Sequence, residues 1–158
     1  MAVSDPLAFD LLRAFAQLEF RLKEDPGFLR AGPYRMAQVN WQAVDTAVAQ
    51  LPGHRFLDRA SDETRTKILA DPRDRPMVQE VDVVGGQNAA VFKRLALQAS
   101  DAGALVEAAR RVRNNLFHGG KEQPDVGDDE EWARAASEIA DLLLDLLDRR
   151  ELRPVSAP

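Results

Sequence analysis

The window 110–121 reads Arg110-Arg111-Val112-Arg113-Asn114-Asn115-Leu116-Phe117-His118-Gly119-Gly120-Lys121, with four basic side chains, one imidazole and no acid. Guanidinium groups bind phosphate through forks of charge-assisted hydrogen bonds, and an imidazole titrates near neutral pH. Asn114 and His118 are four residues apart and share a helix face with Glu107 and Arg111. Arg113 and His118 are five apart, which on an ideal helix separates them by roughly 140°. They flank one rim, and a flexible Arg beside a helix that ends at His118 can reach the same phosphate, although the spacing alone does not require it. The same residues also make an ordinary helix C-terminus, with Gly119 in the left-handed position and His118 against the carbonyl end of the dipole. Residue types alone leave both readings open. The other histidine, His54, sits beside Pro52-Gly53 in a turn-rich segment and receives no role.

The rest of the chain makes this window stand out. Its 158 residues carry 21 basic and 26 acidic side chains, a formal net charge of -5 and no cysteine. A chain of this length buries enough surface to fold without staples, so one domain is expected over 1–150, with a frayed tail at 151–158. Absence of Cys removes disulfides, thiol nucleophiles and thiolate metal sites, and fits a reducing compartment. No apolar run reaches membrane-spanning length, and the N-terminus lacks a basic segment followed by an apolar one, so a cytoplasmic location is expected. A net negative chain repels nucleic acid at long range, so any RNA or DNA site must be a local patch.

Helices must position that patch. Leu7, Leu11, Phe15, Leu18 and Leu22 recur at helical spacing over 7–24, and Phe9, Leu12, Ala16 and Phe20 form a second stripe nearly opposite. One stripe fills a core; the other fits equally a position inside the bundle or a subunit interface. Short helices are expected over 40–51 and 61–70, and the helical pattern resumes over 89–99 and again along Leu105, Ala109, Val112 and Leu116. A last helix opens at Asp128 with Glu131 three residues on and buries Trp132, Ala136, Ile139, Leu143 and Leu146. Val81-Asp82-Val83 alternates before Gly85-Gly86, which allows a small hairpin or irregular insert around 71–88, marginal on its own. The expected class is all-α, a bundle of about five helices. The acidic run 125–131 fits a helix start better than a calcium loop, and the two histidines lack metal-ligand spacing, so no metal or other cofactor is expected.

Arg113-Asn114, three residues, then His118, at the end of a helix in a small helical chain, resembles the signature of the HEPN superfamily. The longer string from Val112 to Lys121 is similar to the form carried by small stand-alone members of plasmid and defence contexts. Phe15-Ala16-Gln17-Leu18-Glu19-Phe20-Arg21-Leu22-Lys23 also looks like the first helix of that branch, whereas residues 52–87 align with nothing. The resemblance implies a metal-independent endoribonuclease, a toxin or defence effector, in which the ribose 2′-hydroxyl attacks the adjacent phosphate. It implies His118 as acid or base, Arg113 on the phosphate, Asn114 as orienting group, and Arg110, Arg111 and Lys121 as RNA-backbone contacts. The reaction uses both a base and an acid, and a homodimer would supply two copies of His118 to one composite cleft. An antitoxin or regulatory partner is part of the same expectation. The competing readings are a HEPN-like dimer that binds RNA or protein without cutting, and a purely structural helical adaptor.

Overall fold

The computed structural model describes residues 3–117 and 129–156. Its elements are α1 (Asp5–Lys23), β1 (Leu29–Ala31), β2 (Ala37–Val39), α2 (Trp41–Ala49), α3 (Asp62–Leu69), β3 (Val78–Val84), β4 (Gln87–Lys93), α4 (Asp101–Phe117) and α5 (Asp129–Asp148). Among the described residues helix accounts for 59% and strand for 14%. The fold is therefore a helix-rich mixture of α and β, and the all-α expectation is corrected by two antiparallel hairpins, β1–β2 and β3–β4.

The helical core follows the sequence pattern. Leu11, Phe15, Leu18 and Leu22 of α1 are buried against the Trp132, Ala136, Ile139, Leu143 and Leu146 stripe of α5. Leu105, Ala109 and Val112 of α4 pack into the same core, with α2 on its other side. Side-chain caps set the shorter elements: Asn40 accepts from the Ala43 amide, Ser61 from Thr64, and Ser100 Oγ from Gly103 at the start of α4. The second stripe of α1 stays outside, with Phe9 and Phe20 65% and 64% exposed.

Residues 89–99 were expected to be helical, and here pairing overrides propensity. Gly85 and Gly86 take φ of 59° and 80°, the left-handed pair that a two-residue hairpin turn requires. The turn sets the register Val84↔Gln87, Val83↔Asn88, Val81↔Ala90 and Val78↔Lys93. The alanines then pair as strand against the valine-rich β3. Two strands alone are marginal, and this hairpin is tied at its base. Arg111, 7% exposed, donates to the carbonyls of Pro76 (3.1 Å), Leu95 (2.6 Å) and Ala96 (3.2 Å), and Asn115 donates to that of Met77 (3.1 Å). One guanidinium thus holds both strands of the neck.

The β1–β2 hairpin occupies what the sequence presents as a loop around Gly32-Pro33. Arg30 lies opposite Gln38, and a Cβ at Gly32 would collide with the Gln38 side chain, which crosses the hairpin there. At its tip Tyr34 and Arg35 have φ of 56° and 61°, a region costing non-glycine residues about 1–2 kcal/mol each. The tip is closed by Gly32 N–H to Met36 O (2.7 Å) and Met36 N–H to Pro33 O (3.2 Å). The C-terminal segment is docked through residue 154: Leu152 is 3% exposed and Pro154 fills the space a side chain at Gly27 would need. This replaces the frayed tail expected from 151 onward. Among the described residues no helix is long and apolar enough to cross a membrane.

Candidate functional site

α4 distributes its three arginines into three surroundings, because consecutive positions on a helix point about 100° apart. Arg110 faces α2: its guanidinium lies 5.0 Å from the Trp41 ring centroid and donates to Asp45 Oδ2 at 2.9 Å. Burial pushes the Asp45 carboxyl up despite that guanidinium and the Gln98 amide, and burial also pushes Arg110 down despite Asp45 and Glu107. Gln98 joins the network, its side chain donating to Asp45 Oδ2 (2.5 Å) and its amide to Glu107 Oε2 (2.9 Å). Arg111 turns inward to the hairpin neck and to Glu107 Oε1 at 2.9 Å, forming the i,i+4 pair its spacing allows.

Arg113 faces α1. It is ion-paired with Glu19, and its guanidinium lies 5.4 Å from the Phe15 ring centroid. Its Nε is buried without a hydrogen-bond acceptor among the described residues, so the guanidinium is not saturated. Arg113 and Glu19 line a cleft of about 270 Å³ together with Lys23, Arg30, Gln38 and Trp41. The cleft is walled by α1, the β1–β2 hairpin, the start of α2 and α4, and it carries three cations against one carboxylate. Larger grooves of about 730 and 530 Å³ run along α1, α5 and the C-terminal segment, and none of the α4 arginines lines them.

Of the residues singled out from the sequence, the structure places Arg113 on this cleft. Asn114 is exposed on the next position of α4. Arg110 is four-fifths buried on Trp41 and Asp45, and Arg111 is inside the protein; as RNA-backbone contacts they are replaced by structural roles. His118 and Lys121 lie outside the described residues. Phe117, also in the window, is 67% exposed. Sequence reading missed Lys23, Arg30, Gln38 and Trp41. A signal existed, because residues 29–44 contain Arg30, Tyr34, Arg35 and Trp41 with no acid.

A cleft with three cations against one carboxylate has the charge to take an anion at the guanidinium, and Trp41 is the aromatic side chain in its lining. Among the described residues no group of three His, Cys, Asp or Glu is placed to hold a metal ion. No protein-family model, curated protein or solved structure gives a significant match to the chain.

Proposed function

We propose that the protein is a HEPN-type, metal-independent endoribonuclease that cleaves RNA by 2′-hydroxyl attack, leaving 2′,3′-cyclic phosphate and 5′-hydroxyl ends. One observation carries the reading. The two strings that resemble the superfamily are far apart in sequence, yet Arg113 of the second pairs with Glu19 of the first at the cleft and lies over the ring of the buried Phe15. In this reading Arg113 holds the scissile phosphate and Glu19 keeps the guanidinium oriented until phosphate competes for it. His118 moves the proton, Asn114 orients the imidazole or the scissile group, and Lys121 contacts the backbone. A homodimer supplies a second His118, and the exposed Phe9 and Phe20 of α1 support association. The setting is cytoplasmic, as a toxin or defence effector with an antitoxin or regulatory partner.

The test is incubation of the purified protein with total RNA in EDTA, with the new ends read chemically. Cyclic phosphate ends are expected. His118→Ala and Arg113→Ala should each lower the rate on the order of 100-fold, the scale of general acid–base and electrostatic catalysis. Arg113→Ala should also weaken RNA binding, whereas His118→Ala should leave binding nearly intact. A folded, dimeric His118→Ala protein that cuts at the parental rate would sink this assignment.

A second reading, a dimeric module that binds RNA or protein without cutting, is favoured by the Glu19 carboxylate already occupying Arg113. Intact RNA in the EDTA assay, with binding retained, would select it.

A further inference from the structure

We propose that the tip of the β1–β2 hairpin is a stacking platform for an unpaired RNA base, with Tyr34 as the ring and Arg30, Arg35 and Lys23 leading the phosphate backbone into the Arg113 cleft. The ligand class rests on the ribonuclease reading above, while the platform itself stands on separate observations. Tyr34 is 97% exposed at the turn of a hairpin. It is held there in the left-handed region together with Arg35, a conformation that ordinary turns give to glycine or asparagine. An aromatic displayed so completely covers nothing in its own molecule, and strained backbone of this kind is concentrated where a side chain must be presented.

The surroundings select the ligand. Residues 29–44 carry two arginines and no acid in a chain of net charge -5, so the hairpin is a local basic patch of the kind phosphate needs. Arg30 and Gln38 are cross-strand partners, joined by a 3.3 Å hydrogen bond, and both line the cleft that holds Arg113 and Lys23. From Arg30 to Tyr34 the chain spans at most about 14 Å, which keeps the ring within reach of a strand that enters the cleft. A base stacks on an aromatic face only when it is out of the duplex, so the substrate is single-stranded. Stacking tolerates every base, and the platform therefore gives affinity and strand selection with little sequence preference.

The probe is a fluorescein-labelled 2′-O-methyl oligoribonucleotide, which lacks the attacking hydroxyl, compared with its duplex by anisotropy over a salt series. Tyr34→Gly removes the ring while leaving a residue that adopts the native φ freely, and Tyr34→Phe keeps the ring. We expect Tyr34→Gly to weaken single-strand binding about tenfold, within the range of base–aromatic stacking. Tyr34→Phe should bind as the parent does. Arg30→Ala and Arg35→Ala should each reduce the salt slope by about 0.7, the value for one phosphate of a single strand. Unchanged affinity in Tyr34→Gly with unchanged slopes overturns the platform; if the parent still cuts RNA in EDTA, the nuclease reading survives alone. Ring-dependent binding by a protein that cuts nothing keeps the platform and removes the nuclease. Loss of dimer mass in Tyr34→Gly with RNA binding unchanged would make the tip a protein contact and overturn the proposal.

Discussion

Arg111 and Asp45 show how much of the basic segment serves folding. Arg111 satisfies three main-chain carbonyls and Glu107 from inside the protein, so Arg111→Ala strands buried acceptors and a partly buried carboxylate. A loss of about 3 kcal/mol by urea denaturation is expected. Arg111→Lys should recover only part of it, since an ammonium lacks the planar fork that reaches several carbonyls. Asp45 gives a pH signature. Its folded-state pKa is raised above the ordinary 3.8 because burial disfavours the carboxylate. Its contribution to stability is thus fully present below that value and lost as pH rises through the raised folded value. Asp45→Asn removes this titration, so the stability difference between parent and variant should move against the parent as pH climbs from 3.8. Thermal melts of both proteins across that window measure it, and a pH-independent difference would show that Asp45 does not titrate there.

At the scale of elements, the β3–β4 hairpin is specified by its turn and by its neck. Gly85 and Gly86 have open space around the position a Cβ would take, so substitution there acts through backbone alone. Gly86→Val should cost about 1–2 kcal/mol, the left-handed penalty for a side-chain-bearing residue. Gly85→Asn should be nearly neutral, because Asn tolerates the left-handed region. Hydrogen exchange of the β3 and β4 amides reads this locally: faster exchange confined to the hairpin is expected for Gly86→Val, with the α1 and α5 core unaffected. Uniformly faster exchange would mean that the hairpin and core unfold as one unit.

For the whole molecule, association and charge decide whether the cleft can act. A chain of net charge -5 would attract RNA only through local cations, and the proposed reaction would draw one His118 from each chain. Light scattering at micromolar concentration should return twice the chain mass. Phe9→Glu with Phe20→Glu should halve it, since these rings are the exposed apolar part of α1 and two carboxylates would have to be desolvated at a contact. The same double variant should lose cleavage if the site is composite. Dimer mass and activity that both survive would move the subunit contact away from α1.

What the sequence determined by itself is the helical framework and the chemical singularity of the window 110–121. Leu11, Phe15, Leu18 and Leu22 on α1, and Trp132, Ile139, Leu143 and Leu146 on α5, declare their buried faces through period alone, because one face of an amphipathic helix must leave water whatever it meets. The pairing of alanines 89 and 90 with β3 was not legible: a short apolar run carries no strand signal until a turn and a partner supply the hydrogen bonds. Nor could the sequence say which of Arg110, Arg111 and Arg113 faces outward. Three arginines within four residues look alike in composition, and only the packing of α4 between α1, α2 and the hairpin neck commits Arg110 to Asp45, Arg111 to buried carbonyls and Arg113 to the cleft. A guanidinium takes whatever role its surroundings offer, and surroundings are set by segments distant in the chain.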